Sequence, residues 1–325
     1  MCKICRCRAE ERNEMVKYIE IPDGSPAFHL ACEEVIFERE QEGDILLLWR
    51  NSPVIVCGAH QNIYQETSVY RAHKRGIEIL RRVSGGGTVY HDEGNLNYSV
   101  IMDADKFKTY DDLLRGILAA MNGAGIPAEK GRICDINVGG VKVSGSAQRI
   151  AHERILQHGT LLYDADLHVL REVSGREGRK YVSRATLSNP AEVGNIKPFW
   201  NGGGILDFRD ALLEHYPENV KRVSMTEEEL AEARRLETEK YSDWKWNYGR
   251  SPKFTCETDG IVNGKSCHLY YSAKKGIIQE MKLDGDGVSE NAGAAFEGLR
   301  LGVSEIVNAA ETVTDSPEDL ADLIL

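Results

Sequence analysis

The chain has 325 residues, 42% hydrophobic and 28% charged, with a formal net charge of −11. That is the composition of a soluble globular protein with room for one large core or two domains. It argues against a general nucleic-acid binder, which needs a basic footprint, and no apolar run approaches the roughly 20 residues of a membrane helix. The N-terminal MCKICRCRAEERNE lacks the apolar core of a secretory signal, so the expected location is cytoplasmic. The 8 cysteines are scattered and expected to be reduced. Cys2, Cys5 and Cys7 form a CxxCxC cluster without a fourth ligand or a second CxxC, and residues 1–17 are read as a disordered, unliganded tail.

Ser25-Pro26 is an N-cap followed by proline at the first helical position. Ala27, Leu30, Ala31, Cys32, Val35 and Ile36 then recur at helical spacing to about Glu40, which assigns Glu33 and Glu34 to a solvated face. Residues 44–49 and 54–57 are β-rich runs broken by Asn51-Ser52-Pro53, predicting a hairpin. A loop with His60 and a helix over about 65–74 lead to a strand at 77–80. Three glycines (Gly85, Gly86, Gly87) follow, then a further β-run at 88–90.

Residues 96–102 alternate like a half-buried strand. The stripe Leu113, Leu114, Ile117, Leu118 and Met121 predicts a core-facing helix over 110–122. Strands at 133–138, 141–150 and 154–163 come next, then a short helix at 165–172. Residues 174–204 are rich in Gly, Ser, Asn and Pro with little periodicity, the pattern of a surface loop or an ordered lid. Helices are expected at 212–216 and 226–241. Beyond about 252, short strands joined by Asn263-Gly264 and Lys275-Gly276 hairpin turns precede helical patterns at 292–299 and 304–310. The fold class is α+β: a large mixed-sheet domain over 18–248, for which the family resemblance given below implies the catalytic role, and a small α+β domain over 249–325, for which it implies the accessory one.

Two stretches carry the chemistry. RRVSGGGTVYHDEGNLNYS (81–99) offers free backbone N–H groups to an anion, with Arg81, Arg82 and Ser84 as side-chain donors. It is neither a Walker loop nor a dinucleotide fingerprint. GVKVSGSAQR (140–149) places Lys142 on the strand face opposite Val141 and Val143, followed by small residues against which a ligand can lie.

Together with LWRNSPVIVCGAHQN (48–62), HGTLL (158–162) and WKWNYGRSPKF (244–254), these blocks resemble the lipoate–protein ligase family in order and spacing, from roughly residue 18 onward. The resemblance implies the biotin/lipoate ligase fold with its accessory domain, and ATP-dependent activation of lipoate to lipoyl-AMP. The lipoyl group would then pass to a lysine of an acceptor lipoyl domain or a glycine-cleavage H-like protein. In the family the lysine of the K-x-S-G-x-A block contacts both the carboxyl group and the α-phosphate, which assigns catalysis to Lys142. Arg82, Ser84, Gly85, Gly86, Gly87, Thr88, Val89, Tyr90, Asn95 and Asp135 would bind ATP and the adenylate. Asp135 would also help hold Mg²⁺, a hard cation that favours oxygen ligands, unless it is only a strand-end turn residue. Trp49, Ser144, Gly145, Ala147, His158, Gly159 and Thr160 would line the site for lipoate or octanoate, with Val56 as a further wall and His91 supporting the loop.

The family's S-x-x-S-x-V-x-N-L segment is altered here to SRATLSNPAEVG (183–194). Two other functions fit the same fold. One is an octanoyltransferase using Cys134, although the P-C-G block of one such group is absent. The other is a non-enzymatic lipoate-binding protein. A biotin ligase fits less well, because R-R-x-S-G-G-G replaces its G-R-G-R-x-x-R loop.

Overall fold

The computed structural model describes residues 15–40, 42–174, 178–189 and 191–325; Cys2, Cys5 and Cys7 lie outside them. Met15, Val16 and Lys17, expected in the tail, are instead the first half of a strand. In chain order the strands are β1 (Met15–Glu20), β2 (Asp44–Trp49), β3 (Val54–Cys57), β4 (Glu78–Arg81), β5 (Val89–His91), β6 (Asn95–Asp103), β7 (Ala128–Lys130) and β8 (Ile136–Val138). They continue as β9 (Val141–Lys142), β10 (Ser146–Ala151), β11 (Arg154–Leu162), β12 (Lys180–Ser183), β13 (Asn219–Ser224), β14 (Phe254–Val262), β15 (Lys265–Lys274) and β16 (Ile277–Gly285).

The main sheet has the order β10-β11-β6-β2-β1-β13. It is mixed: β1 runs parallel to β2 and β13, while the remaining pairs are antiparallel. Strand alternation splits its side chains between two cores. Leu46, Leu48, Tyr98 and Val100 pack with Leu113, Leu114 and Ile117 of the helix Tyr110–Gly123. Ile45, Leu47, Ile101 and Leu156 pack on the other side with the helix Pro26–Arg39.

That second helix is buried around nearly its whole circumference. Val54, Val56 and Leu80 of another sheet and Ala233 of the helix Glu227–Leu236 cover its other sides. Glu33 is therefore 1% exposed, and Glu34 receives Lys240 Nζ at 2.6 Å and Tyr241 Oη at 2.8 Å. The solvated face expected for these two glutamates does not exist.

The second sheet has the order β4-β3-β5. β2 and β3 do not form the expected hairpin, because the Asn51-Ser52-Pro53 turn carries the chain from one sheet to the other. β4 and β5, which flank the glycines, are likewise separated by β3. Ile55, Cys57, Ile79 and Tyr90 on its far face join a third core with Phe254, Tyr271, Leu320 and Ile324. Hydrophobic packing thus continues from this sheet into the C-terminal region.

The C-terminal sheet, β12-β14-β15-β16, takes its edge strand from within the segment expected to be irregular: Lys180–Ser183 pairs with Phe254–Glu257. Its two hairpins turn as expected at Asn263-Gly264 (φ 52° and 70°) and Lys275-Gly276 (φ 54° and 69°), the paired positive φ values of type I′ turns. A last helix, Pro317–Ile324, was not anticipated. A small sheet, β7-β8-β9, stands beside the main one and carries Lys142.

Candidate active site

A cavity of about 390 Å³ opens where the glycine loop, the strands β9 to β11 and residues 186–189 and 191 meet. Its lining includes Arg82, Gly86, Gly87, Thr88 and Val89 from the loop, Asp135 and Lys142, Gly145, Ala147, His158, Gly159 and Thr160, and Trp49. These expected site residues come together at one place from five separate stretches of sequence. Leu30 and Val56 add apolar wall.

Lys142 and Asp135 face each other, Nζ to Oδ1 2.9 Å, each side chain about one-fifth exposed. Asp135 is a turn residue, its carbonyl accepting the Gly131 N–H, and its carboxylate meets the lysine. Within that turn Ile133 has φ 59°, a left-handed conformation costly for a β-branched residue. β9 ends at Lys142, so Val141 and Val143 do not share a face: Val141 is exposed and Val143 is fully buried.

The glycine loop is held from inside. Arg82 donates from Nε to Ser84 Oγ (2.9 Å), from Nη1 to Val56 O (3.0 Å), and from Nη2 to Gly85 O (2.6 Å) and Gly87 O (2.7 Å). Burial pushes its guanidinium down to about 10, still protonated at neutral pH. Its bonds go largely to the loop that was expected to bind nucleotide beside it. Gly58 packs so closely on this loop that a Cβ there would lie 2.3 Å from Gly86 O, which leaves room only for glycine. Arg81 points to the opposite side. It is fully buried and donates to Gly58 O, Gln61 O and Asn247 O at 2.8–2.9 Å, so it offers nothing to an anion in the cavity.

His158 is bonded through both ring nitrogens, Nε2 to Ser84 Oγ at 2.6 Å and Nδ1 to Glu33 Oε2 at 2.8 Å. Ser99 Oγ also donates to Glu33, at 2.5 Å. Burial works to raise the Glu33 pKa, but His158, Ser99 and Arg82 outweigh it and hold the carboxylate below its usual range. The order Ser84–His158–Glu33 repeats that of a hydrolase triad. Ser84 is 1% exposed and accepts the Arg82 Nε–H, so the chain fixes the loop instead of presenting a nucleophile. Glu33 was missed in sequence because its helix was read as amphipathic.

Five expected residues do not line the cavity. Ser84 and Gly85 act through the bonds just given. Tyr90 pairs with Ile55 and faces the third core, while its neighbour His91 faces the cavity. Asn95 is buried and donates to Asn97 Oδ1 at 2.9 Å; Asn97, one face-repeat on, does line it. Ser144 is fully buried. Arg132, Ile133, Cys134, Ser146, Gln148 and Tyr98 complete the lining. Burial pushes the Cys134 thiol up to about 11, so it stays protonated at neutral pH and is a poor nucleophile.

Residues 184–189 and 191–194 lie along the mouth. Ser188 Oγ accepts from Thr88 N–H (2.8 Å) and Gln61 Nε2 (3.0 Å) and donates to the Glu66 carboxylate. Val193 bridges to Lys142, and Asn195 pairs with both backbone groups of Ala165. Aligned on Ser188, the segment keeps the Ser, Val and Asn of the S-x-x-S-x-V-x-N-L pattern and replaces the second Ser by Ala191 and the Leu by Ile196. The alteration is thus smaller than the sequence reading held. Among the described residues no cluster of three His, Cys, Asp or Glu side chains is placed to hold a metal ion, and no helix is long and apolar enough to cross a membrane.

A cation–carboxylate pair, a glycine-rich turn and an apolar wall around one cavity suit an enzyme that activates a hydrophobic carboxylic acid. The comparisons agree. Residues 25–217 match the family model of the lipoyl protein ligase A/B catalytic domain. Lipoate-protein ligase LplJ of Bacillus subtilis is 34% identical over 85% of this chain and 86% of its own. Lipoate–protein ligase 1 of Staphylococcus aureus is 32% identical over 80% and 81%. A crystal structure of lipoate-protein ligase A bound with ATP superposes with a TM-score of 0.61 at 27% identity, over 73% of this chain and 99% of that one. The chain belongs to the lipoate–protein ligase family, and the α+β mixed-sheet architecture is the one that family shares.

Proposed function

We propose that the protein is an ATP-dependent lipoate–protein ligase working in two steps. The lipoate carboxylate attacks the α-phosphorus of ATP, and the bond to the β-phosphate oxygen breaks with release of pyrophosphate, leaving lipoyl-AMP. A neutral acceptor lysine amine then attacks the acyl carbonyl, AMP departs, and the amine loses its proton as the amide forms. The observation that carries this is Lys142, held by Asp135 at the junction of the glycine loop and the apolar wall. A fixed cation there stabilises charge developing between carboxylate and phosphate.

Thr88, Val89 and Gly86 supply backbone for the nucleotide in this reading, while Trp49, Val56, Leu30 and Ala147 surround the acyl chain of lipoate or octanoate. Asp135 would offer one carboxylate to a Mg²⁺ ion, which would supply neutralisation of phosphate charge. The acceptor class follows relatives. One structure similar to this chain (25% identity, TM-score 0.61) is described as a bi-partite ligase and its E2 lipoyl domain, from Thermoplasma acidophilum. An H-like protein is the other acceptor we propose, with the cytoplasm as location. We retain a catalytic part running to 248, its start moved from 18 to Met15 by β1, and an accessory part over 249–325, β12 being a strand that the first lends to the sheet of the second.

The test is lipoate-dependent exchange of pyrophosphate into ATP. Wild-type exchange that disappears in Lys142→Ala supports the assignment; its absence from folded wild type would overturn it.

A further inference from the structure

We infer that the outer rim of the cavity, formed by Ile133, Val141 and Leu187 with Arg132 and Arg184, is the docking surface for the acceptor, and that the acceptor surface around its target lysine is acidic. The inference rests on the ligase reading and adds to it the residues that meet the second substrate.

Three observations converge. First, large hydrophobic side chains left in solvent are costly, yet Ile133 is 59% exposed, Leu187 50% and Val141 36%. Ile133 and Leu187 line the cavity, and Val141 adjoins Lys142 and packs near Gly194. Other exposed apolar side chains, such as Ile150 and Ile261, stand elsewhere, whereas these three come from three separate segments and border one opening. Second, Ile133 is held there in a left-handed backbone conformation, and such strain persists where the surroundings enforce it. Third, Arg132 and Arg184 are exposed and have no ion-pair partner among the described residues, in a chain whose net charge is −11. An acidic partner is repelled by most of this surface and attracted here, which steers it to the mouth.

The chemistry selects the occupant. The activated acyl group lies inside the cavity and the attacking amine belongs to a protein. A lysine side chain extends only roughly 6 Å from its backbone on its four-carbon stem, so the acceptor backbone must rest on this rim for transfer to occur. An apolar centre flanked by arginines is also the composition of protein interfaces.

The test uses the full chain and an unlipoylated E2 lipoyl domain as probe. Arg184→Glu and Val141→Ser lie outside the cavity lining. In each, the KM for the lipoyl domain should rise about fivefold or more, as for a residue central to an interface, with lipoate-dependent pyrophosphate exchange unchanged. In Arg184→Glu the increase of that KM with salt should also flatten. An unchanged acceptor KM in both variants, with exchange intact, overturns the docking surface while leaving the ligase reading standing. A parallel fall in exchange also overturns it, because the rim would then serve the first step. No exchange in wild type removes both.

Discussion

Ser188 Oγ accepts a hydrogen bond from the Thr88 amide at 2.8 Å, so a side chain from the segment over the mouth occupies a backbone donor of the glycine loop. The same hydroxyl takes Gln61 Nε2 and gives its proton to Glu66. The segment is fixed at its other end as well, because β12 immediately before it is an edge strand of the C-terminal sheet. It is therefore latched by the chain's own groups at both ends.

Removing the latch should free the segment. Ser188→Ala loses the hydroxyl that joins Thr88, Gln61 and Glu66, worth about 1.4 kcal/mol net and hence roughly tenfold in opening. Trypsin cleavage after Arg184 in ligand-free protein should accelerate by about that factor, since cleavage tracks the open population. Equal cleavage rates in variant and wild type would show that Ser188 holds nothing.

Cys134 separates ligase from acyl transferase. Its thiol is buried, accepts from Gln148 Nε2 at 3.3 Å, and is pushed up to about 11 by burial. Cys134→Ser should keep pyrophosphate exchange within about twofold, since no thiolate nucleophile is used. Loss of lipoyl transfer in a folded variant would favour the transferase.

Much of this site was legible because its signals are local. Three consecutive glycines, a lysine followed by small residues and the His-Gly-Thr block each announce themselves within a few positions. What was not legible depends on what covers an element. Glu33 lies on a helix whose polar side was assumed to meet water, but that side packs on the main sheet, where His158 and Ser99 bond the carboxylate. Tyr90 was chosen over His91, and the error is one residue: in a strand, adjacent side chains face opposite ways, and only the pairing of β5 with β3 settles which way. Val54–Cys57 reads equally well as a hairpin partner of β2 or as the centre of another sheet. β12 could not be found at all, because four residues in an irregular stretch gain strand character only from the neighbour they pair with.

Acid should destabilise the protein in two stages. Burial first, then Arg82 and His158, push the His91 imidazole down to about 3. In the unfolded chain it binds a proton near pH 6.5, so stability falls as pH drops from about 6.5 towards 3. That cost is about 2 kcal/mol at pH 5, at 1.36 kcal/mol per pH unit. Glu33 adds to it lower down: its depressed folded pKa gives stability present above the unfolded carboxylate value, near 4.5, and lost as pH falls through the folded one. Urea unfolding at pH 7 and pH 5 should show the first loss in wild type and much less of it in His91→Gln. An equal pH dependence in the two proteins would mean that His91 is protonated in the folded state.

The two adjacent arginines make the last comparison. Arg82 staples the glycine loop, whereas Arg81 ties the 58–61 loop to the chain entering the C-terminal region through Asn247 O and Ser251 Oγ. Replacing Arg81 by Met keeps the stem volume but leaves the carbonyls of Gln61 and Asn247 without this donor, while Gly58 O keeps the Gln61 N–H. Each buried polar group left unpaired costs about 1–3 kcal/mol, so the variant should lose about 3 kcal/mol or more in urea unfolding. Lysine should rescue only part of this, because its compact ammonium cannot span partners that the guanidinium fork reaches together. A loss below about 1 kcal/mol for Arg81→Met would mean that water replaces the guanidinium without penalty. The junction between glycine loop and C-terminal region would then be held by apolar packing and by the backbone bonds of residue 81 to Asn247 Oδ1 and Trp246 Nε1.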